Sequence, residues 1–329
     1  MNNLKVFGKF LDQPILISKL NKAMPAIMTV GAGAILANTA IDSFEKSQTQ
    51  EEKQKNKKEI FKKGLIMAFS VASALVAPKI ASKIVKREPI ETFEKIANKN
   101  HELIENFLKD NNINADVAAI LDKAKNEVLS LSEIKKLASE LSKNKNGEKF
   151  FNELIPDPEN IKAKDIFSEI GYLSIYGAIP VVGGIMGGVV ADVATKEDYK
   201  KTMPDKINEG IYQYLANIFM CNIGAGAALG LLEKMNIKSK TARAVGMVSG
   251  IVLTGVLGGS KIANFISQKV ISPITKSKPK ERKPEALDLC LHTDDIATVS
   301  LLSGLKWIEP ALPILYSVSG YKAGVGYRN

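Results

Sequence analysis

Five stretches of the chain, 23–41, 64–78, 170–191, 210–232 and 244–260, run for fifteen to twenty-three residues without a charge. An α-helix rises about 1.5 Å per residue, so a run near twenty residues is about as long as a hydrocarbon core is thick. Gly and Ala crowd all five runs, and a basic stretch follows each. Small side chains let helices approach closely where lipid tails supply no hydrophobic drive between them. The pattern constrains the solvent and the packing of this chain before it says anything about chemistry.

Composition sharpens that constraint. Hydrophobic residues make up 45% of the chain but aromatics only 6%, so apolar bulk comes from Ile, Leu, Val, Ala and Gly rather than from rings. Mean hydropathy is near zero only because apolar and Lys-rich segments alternate. The net charge of +10 is a lysine charge: the arginines are Arg87, Arg243, Arg282 and Arg328. Bidentate recognition of phosphate and of guanine edges favours Arg, and no basic stripe is interleaved with aromatics, so nucleic acid is not an expected partner. Lysines flanking apolar runs suit anionic lipid head groups, each adding about 1 kcal/mol near such a surface. A lipid bilayer is therefore the first expected partner, with a second copy of the chain or another membrane protein as the next. Cys221 and Cys290 stand alone, without the spacing of a zinc site or a disulfide framework. Twenty-two residues that include Asp12 precede the first run, too long and mixed for the n-region of a cleaved signal, so that run is expected to stay as an anchor.

The pattern divides the chain into three regions. Residues 1–86 combine an amphipathic N-terminal helix with two apolar segments; Leu4, Phe7, Leu11, Ile15, Ile17 and Leu20 fall roughly on one side, suited to an interface or a partner helix. The linker 42–63 carries seven Lys and five acids and reads as a solvated helix or a mobile loop. Residues 87–165 change character: apolar residues recur at helical spacing among charges, which predicts a water-facing insert of amphipathic helices. Ser130 and Glu133 have the spacing of a capping box before a helix at 134–141, while Asn146-Gly147 and Pro156-Asp157-Pro158 read as breaks. Residues 166–329 hold the remaining apolar segments and a final block in which Trp307, beside Lys306, suits a membrane–water interface. No period-two alternation stands out, so the expected class is all-α.

Glycines recur at four-residue spacing in the C-terminal region: Gly183 with Gly187, Gly184 with Gly188, Gly226 with Gly230, Gly246 with Gly250, and Gly255 with Gly259. This is the spacing of close helix crossings, and these are the expected helix-packing residues. There is also internal similarity. Val30-Gly31-Ala32-Gly33-Ala34 matches Ile223-Gly224-Ala225-Gly226-Ala227, and Gly64, Leu75 and Lys79-Ile80-Ala81 match Gly246, Leu257 and Lys261-Ile262-Ala263 at equal spacing. Two duplicated helical hairpins, related as inverted repeats, would be a transporter-like construction. Lys and Arg flank every candidate loop, so no sidedness emerges.

Candidate chemistry is thin. Residues 122–133 have the length of an EF-hand loop, but Ala124 replaces a ligand and Glu127 sits where the turn needs Gly. Cys290, His292, Asp294 and Asp295 form the densest set of potential ligands. Their spacing is not that of a zinc site, and Thr293 followed by two acids is also how a helix begins. The glycine-rich 183–188 lacks the strand, turn and Lys-Ser/Thr ending of a phosphate loop. Asn38, Asn217 and Asn222 lie in or beside apolar runs, where they could bond between helices or line a polar path. No metal, cofactor or catalytic constellation is expected. The expectation is an all-α integral membrane protein of structural or partner-binding type, not an enzyme, multi-pass in a bacterial cell membrane. A transporter or pore, and a soluble all-α protein with buried Gly/Ala helices, are the alternatives.

Overall fold

The computed structural model describes residues 3–143, 145–156, 163–237, 239–275 and 306–326. It is 86% helical, with no strand among the described residues, so the class is all-α. Five of its helical stretches are long and apolar enough to cross a membrane: Lys5–Glu45, Gln50–Val85, Ile166–Ala194, Tyr199–Lys234 and Ala242–Ile274. The chain forms two compact units. Unit 1 comprises Met1–Met24, Ile90–Ile161 and Ser303–Pro310; unit 2 comprises Pro25–Pro89, Lys162–Leu302 and Ala311–Asn329.

Unit 1 is built around a cluster of large buried apolar side chains. Its helices are α1 (Asn3–Leu11), the start of α2 (Pro14–Glu45), α4 (Phe93–Asp110), α5 (Ala115–Ala124), α6 (Leu131–Leu141) and α7 (Lys145–Leu154). Each of α4, α5 and α6 begins on a side chain that accepts a backbone N–H: Thr92, Asn114 and Ser130. At Ser130 both halves of the capping box form, with Glu133 accepting from the Ser130 N–H. The core is built from Ile104, Leu121, Leu129, Ile134, Leu137 and Phe151, all at most 1% exposed. Phe107 and Phe150 stack beside it with ring centroids 3.8 Å apart.

The N-terminal helix joins this core rather than the apolar hairpin that follows it in sequence. Its buried face is Val6, Lys9, Asp12 and Gln13, and Phe7, expected on the apolar side, points outward. The reason lies in three polar attachments. The Lys9 ammonium donates to the carbonyl of Ile155 and to Asn152 Oδ1 (2.9 Å), and lies 4.8 Å from the Phe151 ring centroid. Gln13 both donates to the carbonyl and accepts from the N–H of Leu129, at 2.9 and 2.8 Å. Asp12 accepts from the backbone N–H groups of Lys306 and Trp307, so Trp307 is held by its backbone within unit 1. One further expectation shifts, and one is narrowed to the first of its two readings. Asn146-Gly147 is the first turn of α7, with Gly147 buried, not a break. The linker 42–63 is mostly helix, restarted by a capping box between Thr49 and Glu52.

Unit 2 buries small residues beside large ones such as Tyr172, Leu173 and Leu312, and exposes many apolar side chains as well. Its helices are the remainder of α2, then α3 (Gln50–Val85), α8 (Ala163–Ala194) and α9 (Tyr199–Tyr214). α9 continues through a π-turn, Leu215–Phe219, into α10 (Met220–Lys234). α11 (Lys240–Ile251), α12 (Ser260–Ile266) and α13 (Ser272–Thr275) are joined by two more π-helical stretches, Val252–Gly259 and Ser267–Ile271, and α14 (Leu312–Val325) is the last helix described. Small residues such as Ser70, Ala74, Ala77, Ala81 and Ala323 are buried, while Val30 (71%), Val182 (55%), Leu253 (64%) and Phe265 (61%) are exposed.

α8 is the centre of this unit, and its paired glycines serve two neighbours. A Cβ on Gly183 would strike Ser73, and one on Gly187 would lie 2.7 Å from Phe69 Cβ; both face α3, which runs antiparallel. A Cβ on Gly184 would fall on the carbonyl of Gly320, and one on Gly188 would meet the carbonyl of Gly324 and the Lys206 chain; both face α14, which runs parallel. Gly320 and Gly324 repeat the four-residue spacing on the partner helix. Elsewhere, Gly250 meets the carbonyl of Gly224, Gly255 meets Cys221, Gly259 meets Ala216, Gly246 meets Leu232 and Gly226 meets Ile170. Gly230 has nothing within 4 Å, nor have Gly31 and Gly33, although Gly224 and Gly226, their counterparts in the sequence match, both lie at contacts.

Two predictions follow from this packing. Gly184→Leu should destabilise unit 2 by about 1–3 kcal/mol or more, since neither the Gly320 backbone nor α8 can yield. Gly230→Ala, at an open helical position, should be neutral or stabilising by up to about 1 kcal/mol; thermal unfolding of the full chain in detergent compares them. In unit 1, Ser130→Ala should cost about 1 kcal/mol, read as faster amide exchange over α6. Lys123 and the Ser130 N–H, bonded to the Glu133 carboxylate, hold it below the ordinary carboxylate range. Its contribution is therefore complete above the unfolded-state pKa and lost as pH falls through the lower folded-state value. Glu133→Gln should flatten the acid-side loss of α6 protection.

Candidate functional site

The polar residues of unit 2 converge where α3, α8 and α9 meet. α8 ends at Ala194, and Lys196 takes a left-handed conformation (φ 56°) that lets the Glu197 N–H bond back to the Asp192 carbonyl at 2.8 Å. This closure returns the Glu197 side chain toward α3. Lys58 and Lys62, one turn apart on α3, then reach Glu197 at 3.1 and 2.5 Å. Lys62 also reaches Asp192 Oδ1 at 2.7 Å. From the other side, α9 begins at Asp198, whose carboxylate caps the Lys200 N–H, and it supplies Thr202 and Lys206, also one turn apart. Lys206 bonds Asp192 Oδ2 at 2.5 Å and Thr202 Oγ1 at 2.7 Å, and the Thr202 hydroxyl donates to the same carboxylate.

Asp192 is thus a carboxylate 1% exposed, gripped by ammonium groups from two different helices. Placing a carboxylate at the C-terminal end of a helix is unfavourable against the helix dipole; the two lysines reverse that balance. The arrangement runs from a wet rim to a dry centre: Lys58 and Glu197 are partly exposed, while Lys62, Asp192 and Lys206 are buried. The Lys62 hydrogen bond, with Lys58 beside it, holds the Glu197 carboxyl below its ordinary range.

The polar face continues along α9. Glu209, Gln213, Asn217 and Asn222 are all buried. Gln213 donates to Glu209 Oε1 at 2.7 Å and accepts from Asn217 Nδ2 at 3.0 Å. Asn217 lies in the π-turn, whose ring is one residue wider than an α-turn. Asn222, five positions on, is also buried. Beside this row, the Ser267 hydroxyl donates to Asn208 Oδ1 at 2.8 Å, joining α9 to the last π-helical stretch.

Of the residues singled out from sequence, Asn217 and Asn222 lie in this row, and Asn38 is exposed on α2. Glu233, at the far end of α10, pairs with Arg243 Nη1 at 2.5 Å. The carboxylate of Glu133, last position of the EF-hand-like loop, is engaged by Lys123 and the Ser130 N–H. No group of three or more His, Cys, Asp or Glu able to hold a metal occurs among the described residues. Cys290, His292, Asp294 and Asp295 lie outside the described residues. Sequence reasoning set Asp192 aside as an acid only at the end of a run, and did not single out Lys62, Lys206 or Glu209, which lie within four residues of a run without interrupting one. The available signal was that three runs, in three different helices, stop at a charge at what proves to be one level of the bundle. Compared with known proteins, the chain matches no family model, no curated sequence and no solved structure.

Asp192→Asn should destabilise unit 2 by roughly 3–5 kcal/mol, because it removes the buried carboxylate charge that Lys62 and Lys206 share. Replacing the whole set, Asp192→Leu with Lys62→Met and Lys206→Met, should recover most of that loss. Denaturant unfolding of both variants in the same detergent measures the contrast.

Proposed function

We propose that unit 2 is embedded in a bilayer and that unit 1 folds in water, the chain serving as an integral membrane protein of structural or partner-binding type. The observation that carries this reading is the difference between the outer surfaces of the two units. Unit 1 buries its Ile, Leu and Phe and exposes charge, as burial in water favours at about 25 cal/mol per Å² of apolar surface. Unit 2 buries large side chains such as Tyr172, Leu173 and Leu312 together with small residues and its ion pairs, and also turns many Val, Ile, Leu and Phe side chains outward. In water, such an outer surface is an aggregation liability; in lipid it is the solvated surface, and close glycine crossings supply the cohesion. The multi-pass arrangement and the anionic-lipid contacts of the lysine flanks belong to the same proposal, as does a structural role in place of catalysis.

Two measurements on the full chain test the proposal. After alkaline carbonate washing, the protein should stay with membranes and float with reconstituted vesicles; recovery in the supernatant would sink the membrane reading. In intact proteoliposomes, a membrane-impermeant maleimide should spare Cys221, which is buried against Gly255, until the protein is denatured.

A further inference from the structure

Of the five long apolar helices, α2 buries the smallest share of its residues. Within its charge-free run Met24 and Met28 are buried, and Ala32, Leu36, Thr39 and Ala40 are half-buried. Leu36 rests on α3 at Gly64. The other side is open. Ile27, Gly31, Ala34 and Asn38, at spacings of four, three and four, share one helical face, and all four are exposed. No heavy atom of the described residues lies within 4 Å of where a Cβ on Gly31 would stand. The same pattern is filled elsewhere in the chain. In α10, Ile223–Ala227 repeats Val30–Ala34, and there Gly224, the counterpart of Gly31, meets Gly250 and Thr254.

Asn38 sets this face apart from ordinary lipid-facing surface. Its carboxamide has no hydrogen-bond partner among the described residues. Thr29 and Thr39, on the same helix, return their hydroxyls to the carbonyls of Pro25 and Ile35. Asn38 stands four residues before Asp42, about 6 Å inside the first charge. A polar group left unbonded in hydrocarbon is costly, and an apolar side chain would suit lipid better at that position.

We propose that two copies of the chain pair in the bilayer along this face of α2, with the two Asn38 carboxamides bonded to each other. The inference rests on the membrane reading of unit 2 and names the partner that reading leaves open. Hydrogen-bond complementarity selects a second copy. A carboxamide donates through its N–H groups and accepts through its oxygen, so it is complementary to itself. Copies of one protein share one orientation in a membrane, so α2 meets α2 parallel. A twofold axis along the membrane normal then sets each residue level with its own counterpart. Any other helix would have to present an amide or hydroxyl at that same depth. A single Asn among apolar contacts fixes register and pairing in parallel two-stranded helices. Ala34 and Gly31, one and two turns before it, let the backbones approach closely.

The test uses the full chain in liposomes, with donor and acceptor dyes at the N-termini of separate copies. Energy transfer, followed as lipid is added, gives the paired fraction. Two reciprocal hydrogen bonds predict about tenfold weaker pairing for Asn38→Leu. Asn38→Gln, which keeps the amide, should retain most of it, and Val182→Ile, exposed on α8, should leave it unchanged. In a Cys221→Ser, Cys290→Ser background, copper-phenanthroline oxidation should link copies through Gly31→Cys and Ala34→Cys. Ala32→Cys and Leu36→Cys, on the side toward α3, should not link. A chain that floats with the vesicles yet stays unpaired, or pairs as tightly with Asn38→Leu, overturns the pairing and leaves the membrane reading standing. Links through Ala32→Cys or Leu36→Cys in place of Gly31→Cys and Ala34→Cys overturn it as well. A chain that does not float overturns the membrane reading and the pairing with it.

Discussion

Backbone-to-backbone contact at Gly184 and Gly320 is the interaction on which unit 2 depends. A side chain on either residue would occupy the space of the other helix's carbonyl, so α8 and α14 can lie this close only with no Cβ at the crossing. The neighbouring phase, Gly183 and Gly187, gives α3 the same proximity on the adjoining face. Two glycine pairs offset by one residue therefore seat one helix between two others. With α8 held there, its last turn brings Asp192 level with Lys62 and Lys206, and the ion cluster is a consequence of the crossing. Dispersion between atoms in contact is small per pair and large in sum, and close approach is what multiplies the pairs.

The two units treat their buried polar groups differently. In unit 1 the large apolar side chains meet one another, and among the buried polar groups Lys9, Asp12 and Gln13 are each tied to backbone groups. These contacts fix where the N-terminal segment lies more sharply than its hydrophobic pattern does. In unit 2 the buried polar groups are bonded mainly to one another. A buried hydrogen-bonded network is costly when incomplete and specifying when complete, which makes the row from Lys58 to Asn222 the part of the bundle least tolerant of single changes.

Much of this was legible in the order of residues. Helical period, charge-free runs, the capping box at Ser130 and the four-residue glycine spacing are local properties, and local properties are written in neighbouring residues. What escaped is long-range. Nothing near Lys9 announces that its ammonium belongs to the carbonyl of Ile155, because the two are 146 positions apart. Phe7 fits the apolar side of an isolated amphipathic helix, yet the helix turns its Val6–Lys9 side inward, because the acceptors that Lys9 and Gln13 need lie there. Gly147 reads as a break, but in the first turn of α7 the absence of a side chain suits a buried position.

Sequence by itself determined that this chain is helical, that its runs suit an apolar solvent, and that Gly would govern how closely helices meet, since each follows from side-chain size and polarity within one or two turns. Only the tertiary structure decided which glycine faces which helix. It alone brought the charges bordering three separate runs to a common level around Asp192, and it alone turned Glu209, Gln213 and Asn217 inward as one row. The physical reason is that a helix's periodicity defines its faces but not their partners. Partnership is set by which crossings let backbones touch while every buried charge still finds its opposite.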